Sequence, residues 1–278
     1  MMRLFYLFIT SNLLFGCKSG VEFENIQGQD LVAVSSFISP QDTILTATVS
    51  KGYSLDGIFR TDSLLVKDAE VILSSEQKNV ILKYNEKTKV YESLVKQIKI
   101  EQGKIYTLTV RTKQNKVITG QCTIPSNLKE GKVIGQRKND DLAYFSEWER
   151  VSGYNYYLSK QLVKGTYLVN NKLATLTPQL NFTNESSIIE VKESEKIEIS
   201  GGVSNWYKSN NANLLLTLAV LDDNTFKYLK SLENYNNFNA NLSNTFPSFT
   251  EPQPIYSNMK GEGIGIFGGF QQTSVILK

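Results

Sequence analysis

Residues that commonly act as catalysts or metal ligands are sparse in this sequence. The chain of 278 residues contains no histidine and two cysteines, Cys17 and Cys122. Histidine supplies the base of most serine and cysteine hydrolases and is the commonest metal ligand in proteins. The composition therefore excludes those reaction classes and most zinc sites. Chemistry based on carboxylate, lysine or tyrosine side chains stays open.

The densest carboxylates form three pairs, Asp140–Asp141, Glu193 with Glu195, and Asp222–Asp223. None has the D-x-D-x-D-G spacing of a calcium-binding loop, and turns or a helix cap account for them. We therefore predict no enzyme, no metal and no cofactor. An enzyme acting on an extracellular polymer is an alternative, because the two carboxylates of a glycosidase are defined by their separation in space.

A G-x-G-x-x-G pattern occurs near the end of the chain, at Gly263, Gly265 and Gly268. In dinucleotide-binding proteins this motif lies between a strand and a helix and is followed by an acidic residue about twenty positions later. Only ten residues follow Gly268. We expect instead a C-terminal β-hairpin, in which glycines permit bulges or close backbone approach.

The first 17 residues have the features of an export signal. Arg3 precedes an apolar stretch that is interrupted at residues 10–12 and is shorter than the roughly 20 residues of a membrane-spanning helix. The segment Leu14–Phe15–Gly16–Cys17 resembles the lipobox of bacterial lipoproteins, with Phe15 departing from the usual second position. We predict that residues 1–16 are removed and that acylated Cys17 anchors the protein stably. An uncleaved helix or an ordinary signal peptide is the alternative.

The charge balance argues against nucleic acid as a partner. Without residues 1–16, which contain Arg3 and no acidic residue, the net charge is +2. If Cys17 is acylated, Cys122 has no partner for an intramolecular disulfide, and we expect it to be a buried, small apolar residue.

Alternating apolar and polar residues predict a mainly β protein. After a tether at residues 17–29, about seven short strands in residues 30–125 indicate an immunoglobulin-like or transthyretin-like β-sandwich. Pro125 marks a boundary, and residues 128–278 are predicted to form a second β-rich domain. Its one helix is expected at about 222–237, where Asp222 or Asp223 is the N-cap and apolar residues spaced three apart follow.

Two smaller features are candidate surface sites. Asp42–Thr43–Ile44 and Asp62–Ser63–Leu64 resemble the short acceptor sequence of protein O-glycosylation in Bacteroidota. Tyr154, Tyr156 and Tyr157 could line a binding surface, although strand alternation would put Tyr154 and Tyr156 on one face, where packing accounts for them.

The order of these features resembles the DUF4249 family of Bacteroidota outer-membrane lipoproteins. The most specific part is the C-terminal sequence from Glu251 to Gly269. The residues of this family motif are Pro254, Tyr256, Ser257, Asn258, Gly263, Gly265, Phe267 and Gly268. The resemblance implies an N-terminal sandwich followed by a family-specific β-rich half, and it brings no catalytic residues.

Genes of this family tend to lie beside those of TonB-dependent receptors. The resemblance therefore implies a non-enzymatic, lipid-anchored outer-membrane protein that serves as an accessory or binding partner of such a transporter. The alternative is a surface adhesion or structural lipoprotein with no transport role. The ligand and the face of the membrane are left open.

Overall fold

A computed structural model describes residues 31–52, 64–138, 141–169, 172–175, 186–191, 196–203, 209–242 and 254–277. Over these ranges the protein is mainly β, which confirms the predicted fold class. The strands are β1 (Val32–Ile38), β2 (Ile44–Lys51), β3 (Glu70–Ser74), β4 (Asn79–Asn85), β5 (Val90–Leu94), β6 (Ile105–Arg111), β7 (Val117–Thr123), β8 (Lys132–Lys138), β9 (Asp141–Glu149), β10 (Tyr156–Val169), β11 (Lys172–Thr175), β12 (Ser186–Glu190), β13 (Lys196–Val203), β14 (Ser209–Leu221), β15 (Lys260–Gly261) and β16 (Gly263–Leu277).

The first seven strands surround one apolar core. They are hydrogen-bonded in the order β1, β2, β5, β4, β3, β6, β7, and each neighbouring pair is antiparallel. Buried and exposed residues alternate along them, as in β3, where Val71 and Leu73 are buried. This two-residue period turns every second side chain toward the interior.

The C-terminal strand completes this core. The first half of β16 runs parallel to β1, with Val32 opposite Gly263 and Ile38 opposite Gly269. At the other end of the series, β15 pairs with β7. Only Glu262 separates β15 from β16. The two ends of the strand series, β7 and β1, therefore meet beside the same core. Phe267 and Met259 pack in that core.

The prediction of a C-terminal hairpin was wrong. Strand β15 pairs with β7, and β16 lies between β1 and β14. The second half of β16 is antiparallel to β14, with Phe270 opposite Leu221 and Leu277 opposite Leu214. The division of the chain at residues 125–128 stays a prediction, since β16 contributes residues to the cores of both halves.

In the second half, two sheets face each other. One contains β10, β11, β12, β14 and the end of β16, and the other has the order β13, β9, β8. An apolar cluster that includes Trp148, Tyr157 and Leu218 fills much of the space between them. Strands β10 and β14 are longer than the sequence pattern predicted, and they form the longest antiparallel pair of this half.

The predicted helix is present as α1 (Asp223–Leu242), which ends five residues later than expected. Its N-cap is Asp222, whose Oδ1 accepts a hydrogen bond of 2.7 Å from the backbone N–H of Thr225. Leu229 packs in a third cluster with Leu221 and Phe270. Within the described ranges, no helix has the length and apolar character needed to cross a membrane.

We expect the fragment of residues 30–125 not to fold alone, because it lacks the parallel partner of β1 and the buried side chains of Met259 and Phe267. Its thermal unfolding, followed by circular dichroism, should show no cooperative transition. Fusing residues 254–269 through a flexible linker should restore one. A cooperative transition in the unfused fragment would show that the sandwich does not need β16.

Candidate functional site

Asn258 of the C-terminal motif binds the backbone of two strands. Its Nδ2 donates hydrogen bonds to the carbonyl oxygens of Phe267, at 2.7 Å, and Gln121, at 2.9 Å. Its Oδ1 accepts a bond of 2.9 Å from the N–H of Phe267. An asparagine amide is the smallest neutral side chain with both a carbonyl acceptor and two N–H donors. Asn258 thereby joins β16 to β7.

The neighbouring motif residues extend this network to the helix. Ser257 Oγ accepts a bond of 2.9 Å from the N–H of Gly265. The backbone N–H of Tyr256 donates to Ser231 Oγ at 2.8 Å, and its hydroxyl donates to Asn224 Oδ1 at 2.7 Å. Both partners lie on α1. The segment before β16 therefore fastens α1 to the sheet, whereas Pro254 is exposed.

Two glycines of the motif lie where a side chain cannot fit. Gly265 has a φ of +129°, and a Cβ there would clash with the carbonyl oxygen of Val34. A Cβ on Gly268 would clash with Thr225 Oγ1 and with the ring of Phe37. Close contact with β1 and α1 therefore explains the G-x-G-x-x-G spacing without a nucleotide.

A buried carboxylate lies beside the same junction. Asp222 is 4% exposed, and its Oδ2 accepts a hydrogen bond of 3.3 Å from the N–H of Thr123 in addition to the Thr225 bond at the helix cap. Burial raises the pKa of Asp222, and these hydrogen bonds oppose the rise. Burial raises the pKa of the Cys122 thiol well above its ordinary value, as does the nearby Asp222. Cys122 is buried, as predicted, and it is not a reactive thiol.

The other candidate residues are dispersed. Asp223 is exposed and pairs with Lys227 at 2.6 Å. Asp141 lies in β9. No three histidine, cysteine, aspartate or glutamate residues of the described ranges are grouped so that they could hold a metal ion. The candidates outside the described residues are Cys17, Asp62, Ser63, Asp140, Glu193 and Glu195.

The three tyrosines pack against apolar clusters. Tyr157 is fully buried, and its hydroxyl accepts a bond of 2.9 Å from the N–H of Val151. The ring of Tyr156 stacks on Phe226 with 3.7 Å between centroids. Tyr154 packs in the cluster between the two sheets, whereas Tyr156 packs beside α1. The expectation that both share one face was wrong, because β10 begins at Tyr156 and alternation does not extend back to Tyr154.

Asp42 and Thr43 lie in the turn from β1 to β2, and Ile44 is the first residue of β2. The carboxylate of Asp42 accepts a hydrogen bond of 2.7 Å from the N–H of Ser39. Burial raises the pKa of Asp42 to about 6, and the Ser39 bond opposes this rise. Thr43 and Ile44 are exposed.

The second half contains a cavity of about 180 Å³ between its two sheets. The residues that line it include Tyr144, Ser146 and Trp148 of β9, Ser159 and Gln161 of β10, and Ser187 of β12. Gln161 and Ser187 are exposed, whereas Ser146 and Trp148 are buried. The cavity therefore extends from an exposed rim to a buried floor, a form suited to a small ligand.

The family described as "Domain of unknown function (DUF4249)" matches residues 19–276. The chain belongs to the DUF4249 family. No curated protein matches it. A solved structure of a proposed carbohydrate binding protein from Bacteroides uniformis is 10% identical, with 70% of this chain and 91% of that chain covered and a TM-score of 0.21.

The native conformation of alpha-2-macroglobulin from E. coli is also 10% identical, with a TM-score of 0.24. That match covers 69% of this chain and 13% of the E. coli chain. At these TM-scores neither likeness carries an argument about this protein.

The cavity of this DUF4249 protein was not predicted from the sequence, although the pattern of β10 contains a signal of it. Ser159 and Gln161 occupy the same face of β10 as buried Tyr157, so polar residues stand at positions that alternation assigns to the interior.

Gly265→Ala should destabilise this DUF4249 protein far more than Gly103→Ala. Both glycines have positive φ, but a Cβ on Gly103 meets no atom within 4 Å. Gly103→Ala should therefore cost only the backbone strain, about 1–2 kcal/mol. Gly265→Ala adds the clash with Val34 and should cost more than about 4 kcal/mol. Urea unfolding measures both values, and equal losses would show that β16 does not need this close approach.

Asp42→Asn should remove part of the pH dependence of stability. Because folding raises the pKa of Asp42, the folded protein binds its proton more tightly than the unfolded chain does. The free energy of unfolding should fall by roughly 2 kcal/mol as the pH rises from about 4 to about 6. Urea unfolding across this range should show a smaller fall for Asp42→Asn and an unchanged one for the exposed control Glu130→Gln. Parallel profiles for Asp42→Asn and the parent would contradict the assignment.

Proposed function

We propose that this protein is a non-enzymatic, lipid-anchored member of the cell envelope and an accessory or binding partner of an outer-membrane TonB-dependent transporter. The observation that carries the proposal is its membership of the DUF4249 family over residues 19–276. Genes of this family tend to lie beside those of TonB-dependent receptors, and this tendency supports an accessory role.

The position of the anchor agrees with this role. Strand β1 begins 15 residues after Cys17, so a fully extended tether spans at most about 50 Å. A lipid on Cys17 would keep the folded part near the membrane that holds the transporter. Two or three acyl chains hold a protein in the membrane far more stably than one chain does.

The geometry of the C-terminal motif supports a structural role for these residues. Ser257 and Asn258 use their polar atoms in hydrogen bonds to β7 and β16. Asp222 and Cys122, which lie beside this junction, are both buried. These residues support the architecture, and the candidate ligand site is the cavity between the sheets.

A mild-detergent pull-down of the tagged protein from its native outer membrane tests the proposal. We expect a TonB-dependent β-barrel in near-equal amount, identified by mass spectrometry, and an acylated N-terminal peptide beginning at Cys17. In the matched control, Cys17→Ser should be released from the membrane fraction and should lose the barrel, because it lacks the thiol that is acylated.

Recovery of the acylated protein without a barrel would favour the alternative, an adhesion or structural lipoprotein. One observation suits that alternative. Ile134 and Phe145 lie opposite each other on β8 and β9 and are 69% and 40% exposed, so they form an apolar pair on the outer face of the smaller sheet. An unmodified Cys17 would contradict the lipid anchor itself.

A further inference from the structure

We propose that the cavity between the two sheets of the second half binds a small, neutral, polyhydroxylated ring, such as one sugar unit. The cavity is lined by residues of β9, β10, β12, β13 and β14. This inference concerns a ligand site and does not depend on the proposed transporter. A failure of either proposal therefore leaves the other intact.

The character of the inter-sheet space changes along the strands. On β10, inward-facing Tyr157 belongs to the apolar cluster, but the next residues on that face are Ser159 and Gln161. Strand β12 changes in the same direction, from Ile189 in the cluster to Ser187 at the cavity. Facing sheets normally close such a space with apolar side chains. Here both strands replace them with small or amide side chains.

The polar groups at the cavity are already oriented. Tyr144 donates a hydrogen bond of 2.7 Å to Gln161 Oε1 and so connects β9 with β10 across the space. Ser146 is fully buried, and its hydroxyl donates to the carbonyl oxygen of Ile199 at 3.0 Å. Each hydroxyl oxygen keeps lone pairs that can accept a further bond, and the amide of Gln161 adds two donors. Sugar hydroxyls both donate and accept, so they match this set.

The cavity favours an uncharged ligand. None of the residues known to line it is acidic, and Lys160 is the one basic residue among them. Strand alternation turns the side chain of Lys160 to the face opposite that of Ser159 and Gln161. A charged ligand would therefore lose its hydration without gaining a counter-charge.

The volume limits the ligand to about one ring. A cavity of about 150 Å³ in another protein admits benzene, and this one measures about 180 Å³. The aromatic side chains of Tyr144 and Trp148 border it and offer apolar surface to the C–H groups of a sugar ring. A six-membered ring carrying hydroxyls satisfies both the size and the lining.

The fluorescence of Trp148 provides a direct test. The chain has two tryptophans, and Trp206→Phe leaves Trp148 as the single reporter. In this background, carrying Cys17→Ser to remove the lipid, we expect a saturable change in emission with at least one of glucose, N-acetylglucosamine and myo-inositol. Glucuronate and cyclohexanol, which have rings of the same size, should bind more weakly.

Two variants and one control locate the binding. Gln161→Ala should raise the Kd about tenfold, which corresponds to the loss of one hydrogen bond. Ser187→Leu at the exposed rim should abolish the response by obstructing the cavity. Gln136→Ala, an exposed glutamine on β8, should leave the Kd unchanged. Circular dichroism confirms that each variant is folded.

Three results would overturn the proposal. One is the absence of a saturable change with all three neutral probes up to their solubility limits. Another is binding of glucuronate or cyclohexanol at least as tight as that of the neutral polyols. The third is a folded Ser187→Leu protein that binds like its parent, which would place the ligand elsewhere.

Discussion

Strand β16 joins the two halves of this protein through its backbone. The first half of β16 forms backbone hydrogen bonds with β1, and its second half forms them with β14. This placement requires the backbone of β16 to touch that of β1 at Gly265, where only glycine combines a φ of +129° with contact against Val34. Phe267 then packs in the first core and Val275 in the second. The architecture of both halves depends on this one close approach.

The segment before β16 secures that placement through side-chain hydrogen bonds. Asn258 bonds the backbone of Phe267 on both its N–H and its carbonyl oxygen, while Tyr256 binds α1. The family motif is therefore a structural junction. Its polar atoms are largely used in hydrogen bonds within the protein. The candidate ligand site is therefore the cavity between the two sheets, which polar side chains line.

Local patterns predicted much of the fold. Alternation located most strands of the first half, and an aspartate cap at Asp222 or Asp223 located the start of α1. Three features escaped prediction: the C-terminal pairing, the separate packing of Tyr154 and Tyr156, and the cavity. The pairing of β1 with β16 joins residues more than 200 positions apart, and strand patterns contain no information about a parallel partner at that distance. The cavity depends on how closely two sheets approach, which no single strand specifies.

The sequence alone determined the β class, the helix cap, the lack of histidine chemistry and the resemblance to DUF4249, because each of these depends on residue types and short spacings. Only the tertiary structure decided that the glycines of the C-terminal motif allow contact with β1 and α1, that Asp222 is a buried cap, and that Tyr144, Ser146 and Gln161 meet at one cavity. Their positions follow from long-range strand pairing and sheet packing, in which residues distant in the chain become neighbours through backbone hydrogen bonds and burial.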